Sequence, residues 1–138
     1  MQVSPYLFFD GSCERALEFY KTALGAKVDM LMRYKEAPEP GPPGCGPSDS
    51  ERIMHAAFHV GDSRVNASDT PEGHGKPMQG FSLAITVDTP AEAKQKFDAL
   101  AAGGNVFMPL GPSFFSPAFG MLTDRFGVQW MVVTQQEP

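Results

Sequence analysis

The sequence predicts an α+β fold made of two βαβββ modules, and three observations support this prediction. First, the chain repeats itself: Phe19 and Gly25 are matched 78 positions later by Phe97 and Gly103. Second, the apolar periodicity gives each half the same order of a strand, a helix and three further strands. Third, a length of 138 residues suits a single domain with its own core. A fixed offset across a helix and its neighbouring strands indicates duplication of one supersecondary unit.

The first module is expected to span about residues 1–70. Ser12 is a residue type that caps helices and Gly25 is a typical helix stop, so a helix is predicted between them. Gly61–Asp62 provides the turn of a later hairpin. The predicted strands of this module are 3–9, 27–34, 53–60 and 63–69.

Residues 35–51 are predicted to form a loop inserted into the first module. This tract holds five prolines, a composition that sustains neither a helix nor a sheet ladder. Equivalent positions lie 78 apart before the tract but 65 apart at the final turn, where Asp62 matches Gly127, so about 13 residues are extra. Cys45 lies in this loop and Cys13 in the helix. Their spacing fits no metal site, so both are expected to be free thiols.

The second module is expected to span about residues 78–134, after a linker at 71–77. The run Thr89–Glu92 reads as a capping box with proline at the first helical position. Gly103–Gly104 is predicted to end the helix that follows. The predicted strands of this module are 80–87, 105–110, 118–123 and 128–134.

Composition and charge exclude several classes of partner. The net charge is −5 and the sequence has no cluster of Lys and Arg, so nucleic acid is not expected to bind. No apolar run approaches the 18 residues of a membrane span. No signal peptide is recognisable at the N-terminus, so a cytoplasmic protein without a membrane partner is expected.

This ordered set of elements and motifs resembles the vicinal oxygen chelate superfamily, which includes glyoxalase I, extradiol dioxygenases and bleomycin or fosfomycin resistance proteins. The closer resemblance is to its PhnB-like branch, often labelled demethylubiquinone methyltransferase-like. The resemblance implies two four-stranded sheets curved around a cleft, helices on the outer faces, and a homodimer. The residues that carry it are Pro5–Leu7, Ala16–Tyr20, Leu24–Ala26, Ile53–Ala56, Ser68–Asp69 and Thr123–Met131.

Strand alternation sorts the side chains into two faces. One face of each strand is apolar, as in Phe81, Leu83, Ile85 and Val87, and is expected to pack under a helix. The other face is then expected to line the cleft and to bind a ligand. The candidate ligand-binding residues are Tyr6, Phe8, His55, His59, Asn66, Ser68, Ser82, Ala84, Phe114 and Met131.

The resemblance also implies where a metal ion would bind. Metal-dependent members hold a divalent ion with His, Glu or Gln on the first and last strands of each module. Those positions here are Ser4 or Pro5, Asn66, Ser82 and Met131. None of them offers the imidazole or carboxylate that such a site requires. The sequence therefore predicts that this protein uses no metal and no other cofactor.

His55 and His59 alternate onto the same face of the strand 53–60. His55 is a candidate general base or polar anchor for a ligand, although the simpler interpretation of both imidazoles is a solvated or hydrogen-bonded side chain on a half-exposed strand. Residues four apart on a strand are about 13 Å apart, too far to share one ion. His74 is expected to be a solvated loop residue. Phe114 and Phe115, in a loop, are expected to line either a pocket or a dimer interface.

Three functions follow as hypotheses. The first is a protein that binds a small apolar or aromatic molecule in the cleft without a metal. The second is an enzyme of glyoxalase or dioxygenase type with a displaced metal site at His55 or His59. The third, a methyltransferase, is least supported, because no Gly-rich turn follows a strand and no βαβα alternation exists.

Overall fold

The computed structural model describes residues 1–37 and 46–135, which form two compact units, Met1–Lys76 and Pro77–Pro138. Residues 38–45 of the predicted loop, including Cys45, lie outside the described residues. Each unit contains a strand, a helix and three strands in the predicted order. No helix among the described residues is long and apolar enough to cross a membrane.

The described residues of the first unit form one α-helix and four strands, with two 3-10 turns: Tyr34–Glu36, which begins on the last residue of a predicted strand, and Pro47–Asp49, in the predicted loop. The helix ends where predicted, since Gly25 caps it in the left-handed conformation with a φ of 69°. The elements are β1 (Tyr6–Phe9), α1 (Cys13–Leu24), β2 (Lys27–Arg33), β3 (Ile53–Val60) and β4 (Ser63–Asp69).

The second unit repeats this arrangement with one helix and four strands. Its helix starts as predicted: the Thr89 hydroxyl accepts a hydrogen bond from the Glu92 N–H, and Pro90 is the first helical residue. The elements are β5 (Leu83–Val87), α2 (Pro90–Ala101), β6 (Asn105–Ser113), β7 (Ser116–Thr123) and β8 (Gln129–Thr134).

The two sheets have the same topology, which confirms the internal repeat. The strand orders are β1-β4-β3-β2 and β5-β8-β7-β6, and in each sheet the first two strands are parallel. Tyr6 lies beside Asn66 in the first sheet, and Ala84 lies beside Met131 at the same position of the second. One edge strand of each sheet, β2 or β6, contains register shifts, among them those between Val28 and Met30 in β2 and between Val106 and Met108 in β6.

Each helix covers one face of its own sheet. In the first unit Tyr20 of α1 is fully buried and stacks on Phe58 of β3, with 5.8 Å between ring centroids. In the second unit Phe97 of α2 lies so close to Gly120 of β7 that a Cβ there would be 2.7 Å from the ring. The opposite sheet faces carry the candidate site residues. The other buried residues of the helix-covered faces include Leu7, Val65, Ala67, Leu100, Leu122, Trp130 and Val132.

Two predicted strands begin later than the sequence indicates. β1 starts at Tyr6, because Pro5 has no N–H to donate to a sheet ladder. β5 starts at Leu83, after Gly80 has adopted a φ of 86° that extended strands do not use. Ser82 therefore lies before the strand, and Phe81, which was expected in the core, is 47% exposed.

The hairpin between β6 and β7 is tighter than predicted. β6 continues to Ser113 and β7 begins at Ser116, so Phe114 and Phe115 form a two-residue turn instead of a longer loop. Proline at position 112 is tolerated because β6 is an edge strand, where a missing N–H leaves no unpaired carbonyl inside the sheet.

A buried carboxylate, that of Asp69, connects the start of α1 to β3. Its Oδ1 accepts hydrogen bonds from the N–H groups of Gly11 and Cys13, at 2.9 and 3.0 Å, and its Oδ2 accepts one from Ile53 at 2.9 Å. Ser12, predicted to cap the helix, makes no side-chain capping bond. Asp69 therefore supplies the acceptor that the N–H groups of the first turn need, and its negative charge interacts favourably with the positive end of the helix dipole.

A second buried carboxylate, that of Asp124, organises the turn between β7 and β8. Its Oδ1 accepts hydrogen bonds from the N–H groups of Phe126 and Val128, and its Oδ2 accepts the indole N–H of Trp130 at 2.9 Å. The turn that joins β3 to β4, by contrast, has only Gly61 and Asp62 between the strands. The longer turn between β7 and β8 is thus stabilised by the side chain of its own first residue, Asp124.

The thiol of Cys13, the first residue of α1, is fully buried. Burial raises its pKa far above the ordinary range for a thiol, and the carboxylates of Asp69 and Glu14 raise it further. Cys13 is a free thiol in this structure, as predicted. Because the reactive species is the thiolate, this side chain is not a nucleophile.

In a Cys45→Ser variant we expect Cys13 to react with a disulfide reagent such as DTNB at least about 100-fold more slowly in the folded protein than in urea. The raised pKa also makes stability depend on pH. Its stabilising contribution is complete below the unfolded thiol pKa of about 8.5 and declines as the pH rises above it. Urea titrations between pH 7 and 10, compared with a Cys13→Ala variant, measure this decline. Rapid labelling of the folded protein would contradict the assignment.

Candidate functional site

The helix-free face of the first sheet brings five of the predicted site residues together. Sheet register places Tyr6 beside Asn66, and Phe8 beside Ser68, on neighbouring strands. His55 lies on the next strand, β3, on the same face. The side chains of β1 confirm the predicted alternation, because Tyr6 and Phe8 are 40% and 54% exposed whereas Leu7 and Phe9 are buried.

Tyr6, Phe8 and His55 form a cluster of three rings, called the aromatic cluster below. The Tyr6 and Phe8 ring centroids are 4.9 Å apart, and those of Tyr6 and His55 are 5.9 Å apart. The Tyr6 hydroxyl lies 3.2 Å from Nδ1 of His55. The apolar faces of the Tyr6 and Phe8 rings therefore lie beside the hydrogen bond between the Tyr6 hydroxyl and the His55 imidazole.

The polar residues between these rings differ in accessibility. Asn66 is half-buried and occupies the strand position between Tyr6 and Ala57. Ser68, which was expected to line a cleft, is only 5% exposed. Of these two residues, Asn66 therefore offers the more accessible side chain to a ligand.

His59 is engaged elsewhere. Its Nδ1 lies 2.9 Å from both carboxylate oxygens of Asp29. Asp29 occurs at the register shift of β2, where a bulged residue changes the direction of its side chain. The pairing with Asp29 gives His59 a structural role, and His59 is not part of the aromatic cluster.

The helix-free face of the second sheet is apolar. Ala84, Met131, Met121 and Met108 occupy one register row across the four strands. Ala84 is exposed and Met131 is half-buried. This row is the counterpart of Tyr6, Asn66, Ala57 and Met30 in the first unit.

The other two candidates of the second unit lie apart from this row. Ser82 precedes β5 and is half-buried. Phe114 is 95% exposed at the β6–β7 turn, where its ring meets Phe115 edge-on at 5.1 Å. Phe115 in turn contacts Phe119 of β7, with 4.9 Å between centroids.

The donor chemistry of the family's metal positions does not fit a divalent ion. Of the predicted positions, Ser4, Pro5 and Ser82 precede their strands, and sheet register instead places Tyr6 beside Asn66 and Ala84 beside Met131. They provide no imidazole and no carboxylate, the groups that hold such ions. Within residues 1–37 and 46–135, no three His, Cys, Asp or Glu side chains are grouped so that they would hold a metal.

Sequence reasoning missed several residues of these faces. Met30 is 38% exposed and Met108 is 46% exposed, both on edge strands, whereas the sequence suggested them only as parts of an apolar wall and not as ligand-binding residues. A signal existed, because the two methionines are 78 positions apart and so are equivalent in the repeat. Asp29 as the partner of His59 had no sequence signal, since the bulge that positions it is visible only in the paired sheet.

Comparisons with known proteins agree with this fold and extend over the whole chain. Residues 1–133 match the model of the family described as 3-demethylubiquinone-9 3-methyltransferase. The chain is 34% identical over 146 residues to the protein YjdN of Escherichia coli K12, covering 100% of this chain and 99% of that protein.

Solved structures show the same relationship. The protein PA1353 of Pseudomonas aeruginosa is 40% identical, with a TM-score of 0.89 over 99% of both chains. A Bacillus cereus PhnB protein, a putative 3-demethylubiquinone-9 3-methyltransferase, is 28% identical, with a TM-score of 0.80 over 97% of this chain and 99% of that one. The fosfomycin resistance protein FosX of Mesorhizobium loti, at 14% identity and a TM-score of 0.64 over 98% and 92% of the two chains, shares the fold. This chain therefore belongs to the 3-demethylubiquinone-9 3-methyltransferase family.

Proposed function

We propose that this protein binds a small apolar or aromatic molecule on the helix-free face of its first sheet, without a metal ion. The aromatic cluster is the observation that carries the proposal. Two large rings, Tyr6 and Phe8, are exposed side by side on a sheet whose other face is buried. Adjacent exposed apolar side chains of this kind are typical of a binding surface.

The cluster combines stacking surface with a directional polar group. A flat ligand in contact with Tyr6 or Phe8 gains about 0.5–1.5 kcal/mol for each ring pair beyond the area buried. When the Tyr6 hydroxyl donates to Nδ1 of His55, the proton of the imidazole is on Nε2, which then donates to an acceptor. Asn66 offers both a donor and an acceptor beside them. These groups favour a planar ring that carries an oxygen.

His55 is the candidate for any proton transfer at this surface. Imidazole is the side chain that most often acts as a general acid or base in enzymes, and the Tyr6 hydroxyl orients the ring. In the other tautomer Nδ1–H donates to the Tyr6 oxygen, and Nε2 is then free to accept an acidic proton of the bound molecule, such as that of a phenol. Binding is the first element of the proposal and catalysis by His55 is the second.

The family's description as a methyltransferase agrees with the class of ligand proposed here, but methyl transfer does not agree with the fold. Demethylubiquinone is a ring with oxygen substituents, which is the kind of molecule that the aromatic cluster favours. Methyl transfer from S-adenosylmethionine usually occurs on a doubly wound parallel sheet with a Gly-rich turn after the first strand. Both sheets of this chain instead contain a single parallel pair and two antiparallel pairs. We therefore favour binding over methyl transfer.

A homodimer is also proposed, as the superfamily fold implies. The support is the exposed apolar surface of the second unit, where Phe107 and Phe114 are 61% and 95% exposed. Large apolar side chains at such exposure are commonly covered by a partner subunit.

Calorimetry with 2-naphthol, a planar ring with one hydroxyl, tests the binding proposal. We expect Phe8→Leu to weaken binding about fivefold, because one ring contact of roughly 1 kcal/mol is lost. His55→Phe is expected to weaken it by a similar factor, since the donor is removed while the ring remains. Phe107→Leu, an exposed ring outside the first unit, is the control and should leave the affinity unchanged.

Two outcomes would contradict the proposal. One is equal affinity in the Phe8, His55 and Phe107 variants, which would place the ligand elsewhere. The other is a stoichiometric transition metal in protein purified without a histidine tag, which would support a metal-dependent enzyme. Saturable binding of S-adenosylmethionine would support the methyltransferase hypothesis instead.

A further inference from the structure

A pocket of about 530 Å³ opens in the second unit, beside the start of α2. Its wall includes Asp88, Thr134 at the end of β8, Gln135 directly after it, and three prolines. Thr134 is 1% exposed, and its hydroxyl has no hydrogen-bond partner among the described residues. A buried hydroxyl without a partner costs free energy, so this one points to a ligand.

The internal repeat shows what occupies the same place in the first unit. Asp88 follows β5 as Asp10 follows β1. Gln135 donates its N–H to the carbonyl of Val87, the last residue of β5, just as Thr70 donates to the last residue of β1. Thr70 and Gln135 are therefore equivalent, and so are Asp10 and Asp88.

In the first unit this place holds a guanidinium group. Nη1 of Arg52 donates to the Asp10 carboxylate and to the Thr70 carbonyl, at 2.7 Å each. Its Nε lies 3.5 Å from the buried Asp49 carboxylate, and the side chain is only 19% exposed. The Asp10 hydrogen bond raises the pKa of Arg52, which remains a cation. Two of these three acceptors, Asp10 and Thr70, have counterparts in the second unit.

The described part of the second unit has counterparts of these two acceptors but no counterpart of the cation. Pro117 directly precedes the buried Ala118 of β7, as Arg52 directly precedes the buried Ile53 of β3, so Pro117 takes the place of Arg52. Pro117 lines the pocket and has neither charge nor donor. The pocket wall contains no Lys or Arg, and Asp88 is its one charged residue. Asp88 therefore lines the pocket, and no Lys or Arg among the described residues of its wall supplies the counter-charge that Asp10 receives from Arg52.

We propose that this pocket binds a guanidinium cation that a second molecule supplies. The Asp88 carboxylate provides the counter-charge, and the Gln135 main-chain carbonyl and Thr134 hydroxyl are further acceptors. The prolines cover the flat faces of the group. The start of α2 is close to the pocket, but the equivalent place in the first unit holds a cation in spite of the nearby start of α1. There, Nη2 of Arg52 would lie 3.2 Å from a Cβ built on Gly11, which precedes that helix.

Methylguanidinium is the probe that tests the pocket, and NMR shifts of the Thr134 and Gln135 amides report its site. We expect saturable binding, and we expect Asp88→Asn to weaken it about tenfold, because charge-assisted hydrogen bonds become neutral ones. Asp62→Asn, an exposed acid in the first unit, is the matched control and should bind like the parent. Pro117→Arg recreates the first unit's arrangement and should abolish binding.

A second pair of ligands identifies the source of the group. Tighter binding of N-acetyl-arginine amide than of methylguanidinium would support an arginine side chain of a polypeptide, and the reverse would support a small guanidine. Methylammonium should bind more weakly than either, since it lacks the planar fork of donors. Shifts that do not saturate, or that are unchanged in Asp88→Asn, would overturn the proposal. Because Phe8→Leu leaves this pocket intact, its result is independent of the aromatic cluster.

Discussion

Replacing Asp69 with alanine is expected to lower the free energy of unfolding by about 4 kcal/mol, because a buried N–H left without an acceptor costs about 1–3 kcal/mol. The carboxylate is 2% exposed and accepts three N–H groups, those of Gly11, Cys13 and Ile53. Loss of these bonds releases the start of α1 from the first sheet. Urea denaturation followed by far-UV circular dichroism measures the change.

The repeat supplies the control for this experiment. Thr134 has the register position in the second sheet that Asp69 has in the first, beside the last residue of the first strand. Its hydroxyl makes no hydrogen bond to the described residues, so Thr134→Val is expected to change stability by less than about 1 kcal/mol. Equal losses in the two variants would show that burial at this position, and not the hydrogen bonds of Asp69, determines stability.

Asp124→Asn is expected to cost about 3 kcal/mol. An amide in place of the carboxylate weakens two charge-assisted hydrogen bonds and presents an NH₂ group to the indole N–H of Trp130. Trp130→Phe removes that N–H, so the cost of Asp124→Asn should fall by about 1.5 kcal/mol in the double variant. Urea titrations of the four proteins in the cycle measure this coupling.

The control for Asp124 is again in the other unit. Asp62 lies in the turn between β3 and β4 and is exposed. Asp62→Asn is expected to be neutral, because surface substitutions of this kind stay within about 0.5 kcal/mol. Additive losses in the Asp124–Trp130 cycle would mean that the indole hydrogen bond does not stabilise the turn.

Periodicity and local signals predicted most of the fold. The alternation of β1, with Tyr6 and Phe8 on one face and Leu7 on the other, follows from a period of two. The start of α2 at Thr89 and the end of α1 at Gly25 follow from capping preferences that act within a few residues. The 78-residue offset extended these local predictions to the matching topology of the two sheets.

The interactions that the sequence did not predict connect distant residues. Asp69 is 56 positions from Cys13, and its role at the start of α1 depends on β4 lying beside β1. The pairing of His59 with Asp29 depends on a bulge. The hydrogen bond between Tyr6 and His55 spans 49 positions. No local pattern encodes such contacts, although strand alternation did place Tyr6 and His55 on the same face.

The register shifts in β2 and β6 have a consequence for assembly. Both are edge strands, and an irregular edge is a poor template for another strand, since its donors and acceptors no longer alternate regularly. β6 is further blunted by Pro109 and Pro112. The regular edges are those of β1 and β5, which are only 4 and 5 residues long. Addition of a strand from another chain is therefore disfavoured at one edge of each sheet and limited to a few residues at the other, which protects the duplicated fold from edge-to-edge aggregation.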